Sequence, residues 1–276
     1  MPPTSDLLRS FLASTARGWR GTQIVRRAPA PRKRLVVFDR ENDANCRLLR
    51  ELLAELQLDA LIQPCPRGGQ RFSRKLPPGA HLPFLIDSDR QVKANGLGAA
   101  LDHLTSVYAG AAWSSGLLGS WPMRLSSRLA SRLRGPVGEQ VQSSRAPRQP
   151  LELYSFESSP YSRLVRERLC ELELPWVLRS FGKEQLGDWG PPGLRFTLKP
   201  WTPRPGGRRE AMLSRTGKAQ VPCLIDPNEG VELFESDAIL AHLDRCYLSA
   251  PGAGPQRSAR AGLAARPDAV DAPRPE

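Results

Sequence analysis

One segment of the sequence occurs twice. Residues 35–58 and 151–174 align without a gap at a shift of 116 positions, and 10 of the 24 aligned pairs are identical. Each copy is predicted to form a short apolar strand, a turn and an amphipathic helix, because leucines recur at helical spacing after the turn. In the second copy the predicted solvent face of this helix holds Arg163, Arg166, Glu167, Arg168 and Glu171. We interpret the repetition as a tandem duplication.

A second repeated block follows each copy. Residues 81–108 and 220–247 match at a shift of 139, with 10 of 28 pairs identical. Each block places a proline before an apolar strand and ends in a helix, predicted over 98–108 and 236–247. Because 139 exceeds 116 by 23, the second copy holds 23 additional residues, at about 184–219. A short helix is predicted within them at 208–215.

The net charge of +12 lies outside the two repeated units. Residues 1–34 carry +7 and residues 109–150 carry +5, whereas 35–108 is neutral. A nucleic-acid-binding domain usually carries its positive charge on the folded unit, so we expect no nucleic-acid partner. The predicted organisation is a basic helical leader (1–34), unit one (35–108), a basic amphipathic linker (109–150), unit two (151–247) and a disordered tail (248–276).

The leader is predicted to contain a helix over 7–17, capped by Asp6. An Arg-rich start with few acids is also typical of a cleaved targeting peptide. However, residues 12–21 match residues 129–138 at six of ten positions. A cleaved peptide has no reason to recur inside the chain, so we favour a leader that belongs to the repeating unit.

The linker contains an amphipathic basic segment at 109–134, with a break near Pro122. Its apolar stripe consists of Leu118, Trp121, Leu125, Leu129 and Leu133. Basic amphipathic helices sometimes lie on anionic membranes. The alternative, which we favour, is a helix that packs this stripe on a neighbouring domain.

The five cysteines are odd in number and form no C-x-x-C pair. This usage favours a reducing compartment such as the cytoplasm, and neither a disulfide framework nor a zinc site is expected. Cys170 is predicted to lie in the core, and Cys65, between two prolines, is the thiol expected to be exposed. His103 and His242 occupy equivalent positions and are expected to serve packing. No apolar run reaches the roughly 18 residues that a membrane span needs, and no metal site is expected.

The element order of each unit resembles the thioredoxin fold, in the form found as the N-terminal domain of glutathione S-transferases. Three motifs carry the resemblance: the turn Ser159-Pro160-Tyr161-Ser162, the pair Val221-Pro222 before a strand, and Glu235-Ser236 at the start of a helix. More narrowly, PCPRGG (64–69) and DPNEGVELFES (226–236) are similar to hallmarks of a family with two such domains in tandem, known from plants, algae and bacteria. The resemblance covers about residues 7–247. A photosynthetic source would allow the plastid stroma as the compartment.

The resemblance implies an α/β protein with two tandem thioredoxin-like domains and no all-α transferase C-terminal domain. It implies glutathione as the ligand of unit two, with Pro222 in the cis form. The first turn of a helix offers unpaired N–H groups to an anion, so Ser159 there would donate a hydrogen bond to the glutathione thiolate. The implied binding residues are Ser159, Pro160, Tyr161, Val221, Pro222, Glu235 and Ser236.

Catalysis is expected to be weak or absent. Ser159 and Ser162 occupy the two positions that glutaredoxin-like members fill with cysteine, so disulfide exchange through this turn is not possible. In unit one the turn is 43–46, and of the two cysteine positions only Cys46 remains. The candidate catalytic residues are therefore Ser159, Ser162 and Cys46.

Two functions remain open from the sequence. The first is binding of glutathione, or of a glutathionylated or thiol-containing protein partner, through unit two. The alternative is a catalytically inert tandem scaffold that binds a protein partner or makes peripheral contact with a membrane through its basic segments. Glu235 and Ser236 fit a ligand site and equally an ordinary helix cap with an exposed acid. The 29 residues after Tyr247 are too few for a transferase helical domain, which argues against ordinary transferase activity.

Overall fold

The chain forms two similar series of strands and helices, and a separate helix precedes each series. A computed structural model of the chain describes residues 4–110, 113–189 and 201–249. The elements of the first half are α1 (Thr4–Ala16), β1 (Leu35–Asp39), α2 (Ala44–Glu55), β2 (Ala60–Pro64), β3 (Phe84–Asp87), β4 (Val92–Asn95) and α3 (Gly96–Leu104), which continues as a π-helical turn, Thr105–Ala109. Next comes α4 (Ser115–Leu118), which is a single helical turn. The remaining elements are α5 (Trp121–Arg134), β5 (Leu151–Ser155), α6 (Pro160–Glu171), β6 (Trp176–Ser180), α7 (Arg208–Thr216), β7 (Cys223–Asp226), β8 (Val231–Phe234) and α8 (Ser236–Tyr247). Most of the predicted tail, from residue 250 onward, lies outside the described residues.

All of these strands lie in one mixed sheet, in the order β4-β3-β1-β2-β6-β5-β7-β8. In the first half β1 pairs parallel with β2 and antiparallel with β3, and β5 does the same with β6 and β7. This arrangement is consistent with a thioredoxin-like fold. The two halves meet where β2 pairs antiparallel with β6, with Ala60 opposite Leu178 and Ile62 opposite Trp176.

The predicted solvent face of α6 is wrong for three of its charged residues. Arg163, Arg166 and Glu167 are at most 2% exposed, because this face packs against the other half and the separate helices. Arg166 donates to Glu41 at 3.0 Å, and Arg50 of α2 donates to Glu157 at 2.9 Å. Buried charges are costly unless they are paired, so this exchange of ion pairs makes each half depend on the other.

Helices α1 and α5 lie antiparallel and pack with their polar sides inward. Arg163 donates to the carbonyl oxygen of Ser10 in α1 at 2.5 Å, and Arg47 donates to that of Ser127 in α5 at 2.7 Å. The outer side of α5 is the apolar stripe: Trp121, Leu125, Leu129 and Leu133 are 37–73% exposed. The prediction that this stripe packs on a neighbouring part of the protein is therefore wrong for these four residues, whereas Leu118, the first residue of the predicted stripe, is buried in the core.

Several predicted boundaries and caps are also corrected. Helix α1 begins at Thr4, so Asp6 lies in its first turn and does not precede it as a cap. The helix predicted at 208–215 is present as α7, and α8 covers the predicted range. In the part of the chain that the structure describes, no helix is both long and apolar enough to cross a bilayer.

A buried aspartate ties each closing helix to the sheet. Asp226, at the end of β7, accepts from Tyr247 at 2.7 Å and lies 2.8 Å from Nε2 of His242. Asp87 has the same relation to Tyr108, at 2.6 Å, and to His103, at 2.9 Å. The two histidines therefore contribute to packing, in agreement with the prediction.

Candidate functional site

The turn at the start of α6 is built by a serine cap and a proline. The Ser159 hydroxyl accepts from the N–H of Ser162 at 3.3 Å, and Pro160 occupies the first helical position, where no N–H is needed. Both serines are buried, and the Ser162 hydroxyl has no hydrogen-bond partner among the described residues. Among the described residues, none accepts a hydrogen bond from the Ser159 hydroxyl.

The pair Val221-Pro222 lies beside this turn. Its peptide bond is cis, as the resemblance implies, and so is that of Leu82-Pro83 in the first half. Pro222 is buried, whereas Val221 is half-buried and faces the same cavity as Ser159. The backbone of Val221 is thus placed near the turn that opens α6.

Glu235 has a backbone conformation that is rare outside glycine. Its φ is +67°, and the equivalent position in the first half is Gly96, with a φ of +79°. The Glu235 side chain makes no capping bond to α8; it is exposed and accepts from Gln220 at 2.6 Å. An ordinary cap therefore does not explain this residue. Because Gly96 has the same conformation in the first half, the positive φ belongs to this strand-to-helix junction of the fold, and a glutamate there carries a conformational cost.

One cavity of about 750 Å³ brings together the binding residues implied for the second half. Ser159, Pro160, Tyr161, Val221, Pro222, Glu235 and Ser236 all line it. Ser162 does not line it and lies one helical turn further in. Clefts of this size are typical of small-molecule sites.

The remaining walls come from segments that the sequence did not connect with the site. Phe11 of α1, Trp19 and Thr22 line one side, and Phe156 lines the floor. The 23-residue insertion contributes Trp189 and Arg209. The repetition of the leader was a signal for one of these walls, but it does not indicate which unit the leader will cover.

Ser158 and Pro160 hold α1 over the turn. Ser14 donates to the carbonyl oxygen of Ser158 at 2.8 Å, and Ser10 donates to that of Pro160 at 2.9 Å. Phe11 then meets Tyr161 edge to face, with ring centroids 6.1 Å apart. The cavity is therefore walled by an aromatic cluster that the leader helix completes.

Two cations lie in the cavity wall. Lys183 is half-buried and lies over the ring of Trp189, 5.1 Å from its centroid. Arg209 is buried and donates to the carbonyl oxygens of Phe181 and Ala219, both at 3.2 Å. Both side chains therefore place positive charge at the cavity.

The equivalent place in the first half is a different kind of surface. A cavity of about 540 Å³ there is lined by Arg40, Asp43, Asn45, Ala80, His81, Leu82, Gly96, Leu97, Gly98 and Arg124. The Asp43 carboxylate caps α2, accepting from Asn45 at 2.8 Å and from Cys46 at 3.0 Å. A carboxylate at this position would repel a ligand thiolate.

Cys46 is unsuited to the catalytic role considered for it. Its side chain is fully buried and it is not among the residues that line the cavity. Burial, with the charges of Asp39 and Asp43, raises the pKa of this thiol well above its usual value. The thiol stays protonated at neutral pH and is not a nucleophile there.

The other cysteines are structural, and one prediction about them is wrong. Cys65 is 2% exposed, so it is not the accessible thiol that its neighbouring prolines suggested. Burial raises the pKa of Cys65 and that of Cys223 to about 12 each. Cys170 lies in the core as predicted, and Cys246 is half-buried. Within the described ranges no group of three or more His, Cys, Asp or Glu residues is arranged to hold a metal ion.

The fold and the site together define a thioredoxin-like α/β protein. A family model of the glutathione S-transferase N-terminal domain matches residues 153–251, so this domain is present in the second half of the chain. No curated protein and no solved structure gave a significant match.

Proposed function

We propose that the second half binds glutathione, or the glutathione moiety of a modified protein, in the cavity at the start of α6. The observation that carries the proposal is the convergence of Ser159, Val221, Glu235 and Ser236 on one cavity of about 750 Å³. These residues come from three separate places in the sequence. The equivalent positions of the first half also line one cavity, so the fold brings these places together, and the side chains that the second half holds there support the proposal.

Each chemical group of the tripeptide has a partner of suitable chemistry. Ser159 accepts one backbone bond and keeps its own proton for the ligand sulfur. The start of α8, with Ser236, suits a carboxylate, because the first N–H groups of a helix are unpaired. Glu235 would hold the ammonium group, and Lys183 the second carboxylate.

The proposed activity is binding, with weak or no thiol transfer. Among the described residues, Cys170 and Cys223 are buried and Cys246 does not line the cavity. The reactive sulfur would therefore be that of the ligand. The serines at the turn can stabilise a thiolate but cannot form a mixed disulfide with it.

We also propose that the chain is a tandem pair of thioredoxin-like domains of which only the second binds glutathione. The sequence repeats support the duplication, and so do the equivalent contacts of Arg47 with Ser127 and Arg163 with Ser10. In the first half Gly96 stands where Glu235 does in the second, and Asp43 where Ser159 does. One ligand per chain is the consequence.

The test is a calorimetric titration of the full chain with reduced glutathione. We expect saturable binding of one molecule per chain, in the millimolar range or tighter. Glu235→Gln should weaken binding about tenfold, since a hydrogen bond to a charged group contributes about 1.5 kcal/mol or more. Glu229→Gln, which alters another exposed acid outside the cavity, is the control and should bind like wild type.

Three results would overturn the proposal. Absence of saturable binding at millimolar glutathione would contradict it. So would NMR shift changes that occur away from Ser159, Val221 and Ser236. Equal losses in Glu235→Gln and Glu229→Gln would mean that net charge, and not the cavity, governs the interaction.

A second candidate function is that of an inert scaffold. It is favoured by the loss of both C-x-x-C pairs and by the exposed apolar side chains of α5. In that case the paired domains would serve to present a binding surface. Wild-type chain that fails to bind glutathione but retains a surface partner would support this candidate.

A further inference from the structure

Helices α1 and α5 pack against each other, and both expose apolar side chains. Six of them define what we call the leader face: Leu8, Leu12, Trp121, Leu125, Leu129 and Leu133. Their exposed fractions run from 37% to 73%. Contiguous apolar surface on a soluble domain usually marks an interaction site, since single exposed leucines are common but rows of them are not.

The outward direction of this face is fixed by the contacts on the inner side. Arg17, just after α1, donates to both carboxylate oxygens of Glu51, at 2.8 and 2.6 Å. Arg134, at the end of α5, does the same with Glu167, at 2.5 and 2.7 Å. All four residues are buried. A rotation of either helix that buried its leucines would break these paired charges, which is costly.

The charged side chains of α1 and α5 that are exposed, and not half-buried, are all arginines. The sequence of α5 contains no acidic residue, and Arg128 and Arg132 are exposed beside its leucines. On α1, Arg9 is exposed, whereas the one acid, Asp6, is paired with Arg134 at 3.3 Å. Arg17 and Arg134 are paired with buried carboxylates. The charges that face the solvent are therefore those of the exposed arginines.

We propose that the leader face binds the surface of an anionic lipid bilayer. Leucine and tryptophan side chains would enter the boundary between headgroups and acyl chains, while Arg128 and Arg132 would contact lipid phosphates. Helix α5 has 14 residues and so extends about 20 Å along the membrane plane. The inference does not depend on glutathione binding.

The positive charge of the leader face and the spread of its apolar side chains along two helices favour a bilayer over a protein partner. A second copy of the chain would bring a surface that carries the same exposed arginines, Arg128 and Arg132, against this one, and like charges disfavour that contact. Protein interfaces concentrate binding energy in a few anchors that fill pockets. Here side chains of similar exposure are spread along two helices, which suits a fluid, laterally uniform partner.

The leader face also borders the cavity of the second half. Phe11 of α1 is exposed on the same helix as Leu8 and Leu12, and it lines the cavity beside Tyr161. A bilayer on the leader face would therefore lie next to the cavity wall.

Vesicle co-sedimentation of the full chain tests the proposal. The vesicles contain equal parts of phosphatidylcholine and phosphatidylglycerol, with pure phosphatidylcholine vesicles for comparison. We expect wild type to bind the mixed vesicles and to bind the neutral ones at least about tenfold more weakly, because each basic residue near an anionic surface contributes about a factor of five.

Two double variants separate the apolar and the charged contributions. Arg128→Glu with Arg132→Glu should lower binding to mixed vesicles by about tenfold or more. Leu125→Gln with Leu129→Gln should also lower it, without any change in net charge. Both should keep the wild-type melting temperature, since all four side chains are exposed. Arg32→Glu with Arg34→Glu, exposed in the segment before β1, makes the same charge change elsewhere and should bind like wild type.

Four results would overturn the proposal. The first is wild type that binds neither kind of vesicle, and the second is equal binding to both. The third is a loss in the control pair as large as in the α5 arginine pair, which would mean that total charge decides. The fourth is a wild-type dimer in sedimentation velocity that the leucine variant dissociates, which would make the leader face a contact between copies.

Discussion

Arg50 and Glu157 are 107 positions apart in the chain and form an ion pair in its buried centre, with Nε of Arg50 2.9 Å from Oε2 of Glu157. The equivalent pair, Arg166 and Glu41, has a separation of 3.0 Å. Each arginine belongs to a helix of one half, and each glutamate follows the first strand of the other half. Each half thus supplies one cation and one anion to a centre from which water is excluded.

Removal of one charge from this centre should destabilise the whole chain. Glu157→Gln leaves Arg50 buried with less compensation, and loss of one partner of a buried ion pair costs about 3–5 kcal/mol of unfolding free energy. Glu232→Gln is the control, because Glu232 pairs with Arg215 near the surface and such pairs contribute at most about 1 kcal/mol. Urea unfolding measures both. Similar losses in the two variants would contradict the role assigned to the centre.

Asp39 should make stability increase on mild acidification. Burial, only partly offset by Arg50, raises the pKa of Asp39 to about 6, whereas the unfolded value is about 3.9. The folded state therefore binds a proton more readily between these values. Its contribution is complete below the unfolded pKa and is lost as the pH rises through 6. From pH 7 to pH 5 this group alone should add about 1 kcal/mol.

A comparison with Asp39→Asn isolates that contribution. Asparagine has the shape of the protonated acid and does not titrate. The difference in unfolding free energy between wild type and variant should shift in favour of wild type as the pH falls from 7 to 5. Glu157 does not interfere there: burial would raise its pKa, but Arg166 and Arg50 lower it to about 2. A difference that stays flat over this range would refute the assignment.

The two sheet-to-helix clamps should contribute about equally to stability. Tyr247→Phe removes one donor from the buried carboxylate of Asp226, and Tyr108→Phe does the same to Asp87. Each should lower the unfolding free energy by about 1.5–3 kcal/mol, the usual contribution of a hydrogen bond to a charged group. Thermal or urea unfolding measures it. Tyr161→Phe, on an exposed tyrosine, serves as the control and should be nearly neutral.

The sequence predicted the strands and helices well and the packing between them poorly. Leucine spacing and the two prolines placed the strands and helices, and the motifs at 159–162, 221–222 and 235–236 anticipated the cavity. The same periodicity predicted a solvent face for α6, part of which is buried. A helical pattern separates apolar from charged residues, but it does not distinguish an exposed charge from a charge that is paired in the interior. Arg163 and Arg166 are buried because another part of the chain supplies their partners, and no local pattern contains that information.

The cavity walls were missed for a related reason. Phe11 and Trp19 belong to the leader, which precedes the first half, yet they cover the second. Lys183 and Trp189 follow β6 in a segment without periodicity. Side chains that reach a site from a distant segment leave no spacing signal in a single sequence.

The native thiols should differ sharply in reactivity. Cys46, Cys65, Cys170 and Cys223 are buried, and Cys246 is half-buried. With a thiol-specific reagent at neutral pH we expect Cys246 to react first and the other four only as the chain unfolds. Mass spectrometry of the labelled peptides identifies the site. Rapid native labelling of Cys65 would contradict the buried position described above.

A cysteine placed at the start of α6 should become a reactive thiolate. In Ser159→Cys the sulfur would replace a hydroxyl that accepts from the Ser162 N–H, at the positive end of the helix dipole. Both features stabilise the thiolate, so its pKa should fall below the usual value of about 8.5. The rate of alkylation by iodoacetamide against pH measures this in a Cys246→Ser background. Ser162→Cys is the control, because that side chain is buried and, unlike Ser159, does not line the cavity, so it should react slowly. If the thiol at 159 titrates at or above its usual pKa, the turn does not favour an anion, and the proposed hydrogen bond from Ser159 to a ligand thiolate loses its physical basis.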